Sequence, residues 1–250
     1  PYPERLNRPP AWAEFATGAL SYLDSGFMEP KSAAFEQLEG YMKRKWNLGT
    51  LGLTGSMEKN GDPHGSNSFY VNFSEDIWHR GWLLRGEIEK ALLTFYYMLA
   101  YGMDKQTLGT VERFHLTDPR YAPFFMDTSA SARVCGLIRQ ALLLEEAGVI
   151  YLLAGAPRSW LESGKEIELT KGVTTAAKVD FRIESQLDES KISVDLKFSE
   201  MRSAELKSLR VRIPHPSRQP MKSVSVNGKP WAGFNPKEEI VEVMPANGHT

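Results

Sequence analysis

The sequence predicts an α+β multidomain chain, with helical hairpins over residues 1–155 and an antiparallel β-sandwich over residues 156–250. Two patterns predict it. Before Gly148, apolar residues recur every three or four positions, the period of a helix with one buried face. After Lys165 they alternate with polar residues, the period of a half-buried strand. At 250 residues and 42% apolar, the chain is large enough for two cores.

Residues 1–10 are Pro-rich and extended. Trp12, Phe15, Ala16, Ala19, Leu20 and Leu23 mark a first amphipathic helix, which Gly26 stops. Pro30 suits the first turn of a second helix, whose buried stripe is Phe35, Leu38, Tyr41 and Met42. So short a connection predicts an antiparallel helical hairpin. Gly49, Gly52, Gly55, Gly61 and Gly65 then break the pattern, which reads as a long loop.

A short helix is predicted from about Phe69 to Gly81, and a longer one from about Leu84 to Tyr101. Ile88, Leu92, Phe95 and Leu99 form the stripe of the longer helix, and Leu93, Tyr97 and Ala100 widen it. Glu87, Glu89 and Lys90 hold its wet side, and Gly102 ends it. Pro119 and Pro123 forbid a helix through the irregular residues 103–126. Asp127 or Thr128 N-caps a last helix, with Val134, Leu137, Ile138, Ala141 and Leu142 buried and Gly148 as its stop. Cys135 lies within that pattern and reads as a small core residue. Val149–Leu153 is a short apolar run, and Pro157–Leu161 a turn.

Three alternating runs follow. They are Val179, Phe181 and Ile183; then Ile192, Val194, Leu196 and Phe198; then Leu209, Val211 and Ile213, with Arg210 and Arg212 on the polar side. Asn227-Gly228 is a two-residue hairpin signal, and Glu239–Val243 gives a last strand. Short strands separated by turn signals predict a sandwich.

A net charge of −1 with 24% charged residues provides no field to attract nucleic acid or an anionic membrane. A single cysteine excludes an intramolecular disulfide. No apolar run approaches the roughly 18 residues needed to span a bilayer. The N-terminus has neither an initiator Met nor a signal-peptide core, so the chain is expected to start inside a longer gene product. It would be exported if that product carries a signal. His79 and His115 lack metal-ligand spacing, and no P-loop or dinucleotide fingerprint occurs, so neither metal nor cofactor is expected.

Successive helical hairpins can close into an α/α toroid, but a toroid needs more helices than this chain has. The wide apolar faces lead us to expect cover from the remaining N-terminal part of a toroid, or from a partner chain.

Three stretches carry a family resemblance. The first is RGEIEKALLTFYYMLAYGM with TLGTVERF. The second is TSASARVCGLIRQALLLEEAGVIYLLAGAPRSWLESGKEIEL, leading from the last helix into the first strand. The third is LRVRIPHP with VSVNGKPWAGF. From about residue 8 to residue 244, their order resembles the C-terminal half of bacterial six-hairpin glycosidases, in which an (α/α)6 toroid precedes a β-sandwich. The resemblance implies an incomplete toroid here, and hydrolysis of a poly- or oligosaccharide by carboxylates in a central cleft. The motifs themselves are structural.

Glycoside hydrolysis normally uses two carboxyl groups, one on each side of the scissile bond. Glu112 is the first catalytic candidate, because it lies in a loop between Val111 and Arg113 with Phe114 and Tyr121 nearby in sequence. Its rival role is an ion pair with Arg113 or Arg120. Glu75 and Asp76 are the other carboxylate candidates, although acids also favour a helix first turn for its dipole. Trp78, Trp82, Tyr70 and Trp46 are candidate platforms for sugar C–H faces, and His79 and His115 candidate partners for hydroxyls. Each also suits a core. Two alternatives stay open. One is a non-catalytic glycan-binding or scaffold fragment. The other is a lyase on acidic sugars, which would rely on a Tyr/His pair with Arg.

Overall fold

The computed structural model describes residues 28–45, 68–71, 75–115, 126–202 and 206–243. The predicted helix around Trp12 and the glycine-rich loop lie outside the described residues. The chain is mixed α and β, with four α-helices and mostly antiparallel sheets among the described residues. It divides into two compact units, Pro1–Ile138 and Arg139–Thr250.

In the first unit, α1 (Ala33–Lys45) begins after Ser32, whose hydroxyl accepts the Phe35 amide at 3.3 Å. Phe35, Leu38 and Met42 are buried, as the stripe predicts. The predicted helix from Phe69 is corrected. Ser68–Tyr70 is a strand, β1, and the helix α2 runs from Glu75 to Arg85. β1 pairs antiparallel with β2 (Arg113–His115), a strand inside the stretch read as irregular. Gly86, at φ +77°, separates α2 from α3 (Ile88–Tyr101), so the longer helix starts later than its apolar pattern suggests. Gly102 does close α3, its N–H donating to the Met98 carbonyl at 2.9 Å.

α1 and α2 pack closely. A Cβ on Gly81 would stand 2.7 Å from the Phe35 ring. A chain of ions also ties α1 to the following helices. Glu39 Oε1 accepts from Lys43, Lys90 and the buried Trp82 indole at 2.8, 2.8 and 3.2 Å. Lys90 also pairs with Glu87. Arg85 donates to Glu87, Glu36 and the Pro30 carbonyl at 2.7, 2.8 and 2.8 Å.

α4 (Thr128–Leu142) is N-capped by Asp127, whose Oδ1 accepts the Ala130 amide at 2.6 Å. Val134, Leu137 and Ala141 are buried, but Ile138 and Cys135 are exposed, so the core reading of Cys135 is corrected. Position 135 lies a turn's fraction away from the buried line through 134, 137 and 141. α4 also ends sooner than predicted. Leu143–Glu146 is β3, which pairs with β4 (Val149–Leu152) through a hairpin at Ala147-Gly148, both at positive φ. Gly148 therefore turns a hairpin and does not stop a helix.

In the second unit, β4 is followed by a 3-10 turn (Arg158–Leu161), β5 (Glu166–Val173), β6 (Lys178–Gln186), β7 (Lys191–Ser199) and β8 (Ser208–Arg212). Short β9 (Ser225–Val226), β10 (Lys229–Pro230), β11 (Phe234–Asn235) and β12 (Ile240–Val243) complete it. One sheet has the order β11-β12-β8-β4-β3, with β4 and β8 parallel; another is β5-β6-β7. A single apolar cluster draws Ile150, Leu152, Leu209 and Val211 from the first sheet and Val179, Phe181 and Ile183 from the second. Asn227 and Gly228 both take positive φ between β9 and β10, as the hairpin signal requires.

Arg212 is corrected from wet face to interior, with 8% exposed. Its guanidinium donates to the Ala156 carbonyl at 3.0 Å and to Glu239 Oε2 at 3.3 Å. Arg158 grips the same carboxylate through Oε1 at 2.5 Å and Oε2 at 3.0 Å. A local alternation cannot show a carboxylate that arrives from a distant turn.

Candidate functional site

Three sequence candidates meet on the β1–β2 ribbon. The register sets Ser68 opposite His115, Phe69 opposite Phe114, and Tyr70 opposite Arg113. Strand alternation gives the ribbon two faces. Phe69 and Phe114 hold the buried face, stacked 5.8 Å apart. Phe114 stacks in turn on Tyr101 at 5.2 Å, and Tyr101 on Tyr97 at 5.5 Å, which seats the ribbon on α3. Tyr70, Arg113 and His115 therefore hold positions on the other face.

Glu112 immediately precedes β2. Its carbonyl accepts the Val71 amide at 2.8 Å, which fixes the backbone at the ribbon's end. The carboxylate is 20% exposed and lies 3.6 Å from Arg113 Nε, close enough for an ion pair but too long for a hydrogen bond. Glu112 Oε2 is buried and makes no hydrogen bond among the described residues. The arrangement joins a carboxylate with restricted solvent access to a neighbouring guanidinium. Such a group can bind or move a proton on a ligand that reaches the ribbon.

Asp76 lies in the first turn of α2, away from that ribbon in sequence and bonding. Arg133 of α4 donates Nη1 to both its oxygens, at 2.7 and 2.8 Å. Gly136 packs beside it, and an added Cβ would sit 3.6 Å from Asp76. The pair ties α2 to α4, which is a structural use of the acid. Glu75 opens α2.

Trp78 and Trp82 stand apart from any surface. Trp78 is 0% and Trp82 1% exposed. Trp78 meets Phe35 edge-on at 5.5 Å and stacks on Trp82 at 6.0 Å, while the Trp82 N–H is committed to Glu39. Their placement is that of core residues, with no ring face offered to a sugar. His79 is likewise fully buried. Trp46 lies outside the described residues. Among the described residues no cluster of three or more His, Cys, Asp or Glu suits a metal ion, and no helix is long and apolar enough to cross a membrane.

Sequence reasoning did not pair Tyr70 with Arg113, or Asp76 with Arg133. The signal for the first was the short β-prone run Ser68–Val71 facing a second such run at Arg113–His115.

No protein-family model matches the chain, and no curated protein matches it. Among solved structures, it is similar to Ara127N-Se, a GH127 beta-L-arabinofuranosidase from Geobacillus stearothermophilus T6, at 14% identity and a TM-score of 0.43. The match covers 92% of this chain and 38% of that one, so the chain spans well under half the neighbour's length. A likeness this slight assigns neither fold family nor activity.

Proposed function

We propose that this chain is the C-terminal part of a glycoside hydrolase-like protein of the six-hairpin kind. In that reading its helices (residues 1–155) belong to an incomplete α/α toroid, and residues 156–250 form a β-sandwich. The substrate is a poly- or oligosaccharide, and Glu112 is the proposed catalytic carboxyl group. What carries the reading is the sequence resemblance, supported by where its stretches fall. TSASARVCGLIRQALLLEEAGVIYLL builds the passage from α4 into the β3–β4 hairpin. LRVRIPHP supplies β8 and the buried Arg212, and VNGKPW supplies the β9–β10 hairpin. The remaining N-terminal part of the toroid, or a partner chain, supplies the second carboxylate in this proposal, because Asp76 is held by Arg133. The test is release of reducing sugar from neutral oligosaccharides by the natural gene product, with Glu112→Gln as the diagnostic variant.

One observation favours a second reading, a lyase on acidic sugars. The register sets Tyr70 opposite Arg113 and places His115 on the same ribbon face. Elimination needs a base for the proton next to the carboxylate and a cation to hold that carboxylate, and these residue types fit. A product with a new carbon–carbon double bond distinguishes this reaction from hydrolysis.

A further inference from the structure

The segment Ala232–Asn235 takes no part in the chemistry proposed for the helical unit. It lines a groove in the second unit with a volume of about 330 Å³, at the small end of the roughly 300–1,000 Å³ typical of ligand sites. Cross-strand register builds the polar wall. Tyr151 of β4, Arg210 of β8 and Glu242 of β12 stand in one row, of which Arg210 and Glu242 line the groove. The Arg210 guanidinium lies over the Tyr151 ring at 5.8 Å, and its Nε is 3.3 Å from Glu242 Oε1. Both side chains remain partly open to solvent. The opposite edge is the Ala232–Gly233 backbone. Gly233 is required there, since a Cβ would come within 2.5 Å of Trp231 Nε1. Ile240 adds an apolar surface, and Asn235 and Glu238 complete the lining.

We propose that this groove binds one neutral sugar ring of a glycan. A guanidinium beside a carboxylate offers both donors and an acceptor to sugar hydroxyls, each of which both donates and accepts. Ile240 and the bare glycine backbone suit the C–H edge of the ring. The charge balance selects against anions, because Glu238 and Glu242 outnumber Arg210 among the lining residues. This binding needs no catalysis and does not rest on the role of Glu112.

Trp231 provides the readout. Its indole N–H donates to the Glu242 carbonyl at 2.9 Å, so its ¹⁵N resonance, assigned with Trp231→Phe, reports on the groove edge. The full chain is titrated with neutral pentose and hexose trisaccharides and with a galacturonic acid trisaccharide, up to about 10 mM, which covers millimolar affinities. The expected result is a saturable shift with at least one neutral probe and none with the acidic one. Glu242→Gln and Arg210→Lys, with unchanged melting temperatures, should each weaken binding about tenfold, roughly the worth of one charged hydrogen bond. No saturable shift with any neutral probe overturns the proposal. So does binding that Glu242→Gln leaves unchanged, or binding of the acidic probe alone. Glu112→Gln should leave the Trp231 shift unchanged, so failure of this proposal and failure of the hydrolase reading are distinguishable.

Discussion

Arg158 and Glu239, 81 residues apart, form a two-point ion pair at 2.5 and 3.0 Å, and the buried Arg212 shares the same carboxylate. Burial pushes the Arg212 pKa down, and the Glu239 carboxylate only partly offsets it. Glu239→Ala should therefore destabilise the second unit by about 3–5 kcal/mol, because it strands a buried guanidinium. Arg158→Ala should cost about 1 kcal/mol, since Arg158 is more exposed and Glu239 keeps Arg212. Urea unfolding of both variants checks the order, and equal effects would contradict it.

The ion chain of the first unit predicts acid sensitivity. Burial works against the Glu39 carboxylate, but Lys43 and Lys90 outweigh it and hold its pKa below the ordinary range. Glu87 is likewise lowered, by Lys90 and Arg85 against burial. A lowered folded pKa gives stability that is present above the unfolded value of about 4.3 and lost as pH falls through the folded one. Lys90 is raised, because Glu39 and Glu87 overcome its burial, so its contribution persists at neutral pH and fades only above about 10.4. Helical signal should thus be constant near neutrality and decline below about pH 4.3. Glu39→Gln should flatten that decline, and an unchanged acid limb in this variant would refute the assignment.

Gly81→Ala places a methyl group 2.7–2.8 Å from two carbons of the Phe35 ring. Overpacking of this kind costs about 1–3 kcal/mol, which should exceed the helix-propensity gain of about 1 kcal/mol. Adding Phe35→Leu should recover part of the loss. Simple additivity of the two changes, measured by denaturant unfolding, would show that the contact is not what limits position 81.

Cys135 is exposed on α4. A thiol-specific reagent should therefore label the native chain fully without denaturant, and Cys135→Ser should leave the melting temperature unchanged. Protection until unfolding would return Cys135 to the core.

What the sequence revealed was local. Alternation at Val179, Phe181 and Ile183 marked a strand whose neighbours on both sides are also strands, and Asn227-Gly228 marked a turn that only positive φ satisfies. The stripe of α1 and the Asp127 cap were equally visible. What it concealed depends on partners far along the chain. Ser68–Tyr70 looks helical until Arg113–His115 pairs with it. Leu143 and Leu144 extend a helical stripe, but they pair with Leu152 and Tyr151 across a two-residue turn. The same limit applies to the site. Trp78 and Trp82 have the chemistry of sugar platforms, and only packing against Phe35 and Glu39 shows them as core. Tyr70 lies far along the chain from Glu112 and His115, and ribbon register brings its position beside theirs.

The proposed hydrolysis through Glu112 is checked by kcat/KM of the natural gene product on neutral oligosaccharides, wild type against Glu112→Gln. Reducing-sugar release should fall by about 10²–10⁴-fold in the variant while the melting temperature holds. Hydrolysis that survives the substitution unchanged would contradict it, as would a product carrying a new double bond.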